Sequence, residues 1–184
     1  DDDGEDLVAA TIPTFDGGCT GNRFKAVLGD GTAMAEVEGF LDAPASYANT
    51  QGNLAFRIRI GIDGTNSDST WVMVSGNRLG LDPLVTTYEL PHAASATVLQ
   101  AWIGTDLTGG PSPLAGPFGM PLVAHESVGG TLTFTQNLPE PGVNVVGTFE
   151  GILQGGTSSI EHPGRVITLG VAGCFTATLA QQND

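Results

Sequence analysis

What chemistry this chain can carry depends first on the side chains able to ligate, attack or titrate, and these are few. The 184 residues hold three histidines, two cysteines and 6 Lys+Arg against 20 Asp+Glu. His92, His125 and His162 stand beside Pro or Glu in loop-like stretches, and neither HExxH nor HxH occurs, so no histidine spacing prescribes a transition-metal site. GxSxG, GxGxxG and the phosphate-binding GxxxxGK[ST] are absent, which leaves no argued nucleophile elbow and no nucleotide cofactor. No enzyme is expected. The cofactor that the residue types admit is calcium: Asp63, Asn66 and Asp68 in DGTNSD are hard-oxygen ligands, although the same residues are ordinary turn formers. The opening DDDGED is a second acidic cluster, but it lacks the distal Glu of a calcium loop at the required spacing.

Two other constellations carry chemistry of a milder kind. Trp71 and Trp102 are the only tryptophans, and on a β-sheet surface they would make a stacking platform for a glycan; inside, they would anchor packing. Cys19 and Cys174 lie near opposite ends of a Gly- and Thr-rich chain, a pattern that predicts a disulfide and an oxidising, extracytoplasmic setting rather than a catalytic or metal pair.

The elements that must position these residues are strands. GGTLTFTQ from Gly129, VVGTFEGILQ from Val145 and GRVITLGVAGCFTATL from Gly164 alternate apolar and polar residues between Pro/Gly/Asn breaks. Ile167, Leu169, Val171, Phe175, Ala177 and Leu179 share one parity, which marks the last run as a central strand and puts Cys174 on its opposite face. Asp30-Gly31 predicts a two-residue hairpin turn in which Lys25 meets Glu36, Phe24 meets Val37 and Arg23 meets Glu38. Leu54, Phe56, Ile58, Ile60 and Ile62 define a further core strand from Asn53 to Asp63 with Arg57 and Arg59 outside, expected to pair with acids on a neighbour. Additional strands are predicted over 69–75, 86–90 and 95–104, while 42–52 reads as a loop. The expected class is all-β, an antiparallel β-sandwich of jelly-roll or immunoglobulin type with about ten strands and little or no helix. Residues 1–6 form an acidic arm and 7–184 one domain.

A formal charge of -14 repels phosphate backbones and anionic headgroups, so nucleic acid is an unsuitable partner. No apolar run is long enough to span a bilayer. A chain that starts at Asp1 suggests that an export signal has been removed. The last third, with GGTLTFTQ, VVGTFEGILQ and GRVITLGVAGCFTATL, resembles the C-terminal halves of secreted or lipid-anchored bacterial β-sandwich surface proteins of unassigned role. The resemblance implies an exported surface protein and transfers no catalytic residue.

The function expected from these features is that of an extracellular structural protein, a subunit of a filament, pilus or surface assembly that self-associates into a homo-polymer. Its N-terminal apolar segment, Leu7 to Phe15 with Leu7, Val8, Ala10, Ile12 and Phe15, would pair at a sheet edge of a neighbouring subunit; Pro13 excludes it from a central position. The alternative is a glycan-binding or adhesion module with bound calcium.

Overall fold

The computed structural model describes residues 11–15, 21–28, 37–41, 45–50, 53–61, 71–103, 122–156 and 166–182. Among them are eleven strands, two single-turn 3-10 segments at Arg78–Gly80 and Ala93–Ser95, and no α-helix. The strands are β1 (Asn22–Leu28), β2 (Val37–Leu41), β3 (Ser46–Thr50), β4 (Asn53–Gly61), β5 (Trp71–Asn77), β6 (Thr87–Glu89), β7 (Val98–Ile103), β8 (Leu122–Gln136), β9 (Asn144–Gly156), β10 (Val166–Thr178) and β11 (Ala180–Gln182).

All of them belong to one sheet, ordered β11-β3-β4-β2-β1-β10-β9-β8-β7-β5, with β6 added to β8. Because β4 also pairs with β5, the path from β4 through β2, β1, β10, β9, β8 and β7 to β5 returns to its start. The all-β class therefore holds, but the pairings close one sheet on itself where two stacked sheets were expected. Curvature comes from the three longest strands, β8 to β10, and from register shifts at Ala101/Ile103, Ser127/Gly129 and Phe134/Gln136, since each extra residue increases twist and bends its strand.

A closed ring of eight strands leaves an interior that side chains can fill. Phe24, Phe56, Ile58, Ile60, Leu99, Leu132, Leu153, Leu169 and Phe175 are all fully buried there. The rings of Phe56, Tyr88 and Phe175 each meet Phe134 edge to face, and Phe149 stacks on Phe175. Room for this cluster is made at Gly147, where a Cβ would run into the Phe175 ring.

Local predictions fare well where alternation is strict. Phe24 pairs with Val37 and Arg23 with Glu38, the register predicted from Asp30-Gly31; the predicted turn, Lys25's expected partner Glu36 and most of the return strand lie outside the described residues. β10 is central, paired with β9 along its whole length and with β1 from Leu169 to Cys174. Residues 46–50, expected as loop, instead form β3, with Tyr47 opposite Phe56. Ala45 and Tyr47 are buried, and Leu179 beside them is buried too, so tertiary packing overrides the weak strand propensity of Ser-Tyr-Ala-Asn-Thr. β11 runs parallel to β3, the one parallel pairing among the described strands, so the sheet is mixed.

Candidate functional site

β10 differs from its neighbours in being buried on both faces. Leu169, Val171 and Phe175 point into the barrel, whereas Gly170, Ala172 and Cys174 have the opposite parity and are buried as well. On β9, by contrast, the outward Thr148, Glu150 and Gln154 are exposed. The cover over β10 is the N-terminal segment. A Cβ on Gly170 would collide with the carbonyl of Thr11 and approach the Cα of Ile12, so the segment's backbone crosses the outside of the strand where a side chain would stand. Pro13 is buried, and Phe15 receives the Arg23 guanidinium at 5.9 Å from its ring centroid.

Of the segment expected to pair with a neighbouring subunit, Leu7 to Phe15, residues 11–15 are described. Residues 11–15 form no strand and extend no sheet edge; they lie across the outer face of their own barrel. Pro13 lacks an amide donor, and a segment crossing over side-chain positions has no ladder to join. Ile12 is partly exposed, while Leu7, Val8 and Ala10 lie outside the described residues, as does the DDDGED arm.

The same seat holds the sulfur chemistry. Cys174 is completely buried. Its Sγ lies 3.7 Å from the carbonyl oxygen of Gly21, two positions from the chain's other cysteine, Cys19, which lies outside the described residues.

A second constellation lies on the outer face of β4, β5, β7 and β8. Register sets Gly61, Trp71 and Trp102 side by side, so the two tryptophans, 31 positions apart in sequence, are direct cross-strand neighbours. In the adjacent row Arg59, Met73, Gln100 and Glu126 follow one another across the four strands. The Arg59 guanidinium lies over the Trp71 ring at 4.8 Å from its centroid, and Gln100 Nε2 donates to Glu126 Oε1 at 2.9 Å. Arg59 thus stacks on an indole that separation in sequence concealed. Arg57 is exposed on the same face.

The pair that sequence reasoning missed is His92 and Ser95. His92 Nδ1 lies 2.7 Å from Ser95 Oγ, which in turn lies 2.6 Å from Thr97 Oγ1. The contacts look like those of a nucleophile and its base, but Ser95 and Thr97 are almost wholly buried, and no substrate atom reaches that hydroxyl. Paired backbone bonds between His92 and Thr97 close the turn around them, with Ala96 in the left-handed region. The trio braces a turn. Its signal in the sequence was the short spacing His-x-x-Ser-x-Thr, which a search for distant triad members passes over.

Asp63, Asn66 and Asp68 lie outside the described residues. Among the described residues no three metal-ligating side chains cluster, and no helix is long and apolar enough to cross a membrane. Comparison with protein families, with curated proteins and with solved structures finds no match.

Proposed function

We propose that the protein is a non-enzymatic structural subunit of the cell exterior, and that copies join by exchanging their N-terminal segments between seats on β10. The observation that supports this reading is the seat itself: Thr11 and Ile12 lie over Gly170, on an outer face where Ala172 and Cys174 are buried too, outside a barrel whose hydrogen-bonded ring is complete without the segment. A segment that is no part of the ring can leave with the ring intact. Leaving uncovers an apolar strip that needs a cover, and a second copy carries one of the right shape. An exchanged arm that reaches from Thr11 through Cys19 carries its cysteine to the neighbour's β10, as exchange of identical elements between copies allows.

A bond between Cys19 and Cys174 gives the exchange a covalent record. An arm seated in its own barrel makes that bond within one chain, and an arm seated on a neighbour makes it between two. Both require an oxidising compartment, in keeping with export. The test is oxidative refolding of mixed isotopically light and heavy pools over a range of protein concentrations, followed by mass spectrometry of the Cys19–Cys174 peptide. The expected result is light–heavy linked peptide that rises with concentration, together with higher oligomers on a non-reducing gel. Linkage confined to light–light and heavy–heavy peptides at every concentration would overturn segment exchange.

A further inference from the structure

The Trp71 face has a use that segment exchange does not absorb. We infer that the outer surface of β4, β5, β7 and β8 binds a neutral glycan chain, with Trp71 as the stacking ring and Gln100 and Glu126 as its hydrogen-bonding partners. Trp71 does not belong to the core: it alternates with Val72 and Val74, which are buried inside the barrel, so it stands outside. Arg59 over its ring fixes the indole before any ligand arrives, and a fixed platform loses less entropy on binding. Register brings Trp102 alongside, and the row Arg59, Met73, Gln100 and Glu126, polar except for the buried Met73, runs two residues, about 7 Å, from the Trp71 row.

That spacing matches the two sides of a sugar ring. A pyranose offers an apolar C–H face to an aromatic ring and a rim of hydroxyls that both donate and accept. Gln100 has donors and an acceptor, and Glu126 accepts on two oxygens; together they satisfy hydroxyls and offer nothing to an apolar ligand. Charge selects among sugars. The chain's -14 and the Glu126 carboxylate disfavour carboxylated or sulfated chains, and the Arg59 charge is already engaged on Trp71.

The test uses the intact protein in affinity electrophoresis through gels containing hydroxyethylcellulose, mannan or soluble starch, with polygalacturonate as the carboxylated comparison. Expected is retardation by at least one neutral polymer, weakened about tenfold in Trp71→Ala and reduced in Gln100→Ala, with Leu84→Ala, at an exposed side chain, as the unaffected comparison. Far-ultraviolet circular dichroism confirms that each variant retains its fold. No retardation by any neutral polymer, retardation that survives Trp71→Ala, or retardation by polygalacturonate alone would each overturn the inference. None of these outcomes bears on segment exchange, which is read from linked peptides.

Discussion

The carbonyl of Thr11 occupies the place where a side chain on Gly170 would begin, so the two residues fit only because one of them is glycine. Any larger residue at 170 moves the segment or bends β10. The strand is held on both sides by β1 and β9, whereas the segment is no part of the barrel, so the segment should yield. Gly170→Val is expected to unseat residues 11–15, increase protease cleavage there, and lower stability by about 1–3 kcal/mol, a typical cost of overpacking. Urea denaturation with peptide mapping checks both parts. A variant as stable and as protected as the parent would show that the contact is not what holds the segment.

A bridge between Cys19 and Cys174 is expected to show no free thiol in the denatured, unreduced protein. The loop it closes is long, so the loss on reduction has an upper limit of about 5 kcal/mol from chain entropy. Much less is expected in practice. Arg23 already pairs with Cys174 on the neighbouring strand, so the ring holds that end of the chain beside β10 without the bond. Thiol titration and paired denaturation curves with and without reductant measure the two quantities.

How far the sequence disclosed this arrangement depended on whether a residue's role was local. Strict alternation in 53–61 and 166–178 disclosed which side chains face the core, because period-two burial is written residue by residue. The Phe24–Val37 register expected from the Asp30-Gly31 sequence is observed for the same reason. Closure of the ring was not legible, since it rests on β4 meeting β5 on one edge and β2 and β3 on the other, and on bulges that no local pattern announces. The two tryptophans were legible as candidates but their adjacency was not: Trp71 and Trp102 meet through the β5–β7 register across an intervening β6. The seat on β10 hid behind Gly170, Ala172 and Cys174, and the close approach over Gly170 comes from a segment about 160 positions away in the chain.

The turn between β6 and β7 should be sensitive to one hydroxyl. Ser95 Oγ connects the His92 ring to Thr97 Oγ1 in a buried position. Ser95→Ala removes the link and leaves Thr97 with an unsatisfied hydroxyl, for which a loss of about 1–3 kcal/mol is expected. Ser95→Thr restores the oxygen but adds a methyl group to a site without space and should recover only part of that loss. Thermal denaturation of the two variants beside the parent distinguishes a brace from a bystander, because a bystander would leave the midpoint unchanged in both.

The loop after β5 supplies the pH dependence. Tyr88 is buried, its hydroxyl 2.6 Å from the Asp82 carbonyl oxygen and 2.9 Å from that of Val85, so one phenolic proton serves two acceptors. Burial raises its pKa above 10.0, and the Asp82 charge raises it further, because a phenolate there would lose its hydration and face a carboxylate. The folded state therefore holds this proton at pH values where the unfolded chain has released it. Stability from the group is complete below pH 10, and it falls as pH rises from there through the folded pKa, since the folded form then binds more protons than the unfolded. Tyr47 is also raised by burial and adds in the same direction. Tyr88→Phe is expected to lower stability at neutral pH by about 1 kcal/mol for the lost hydrogen bonding, and to flatten the decline above pH 10. Denaturation midpoints from pH 8 to 11 measure the slope, and an alkaline decline as steep in Tyr88→Phe as in the parent would assign it to other groups.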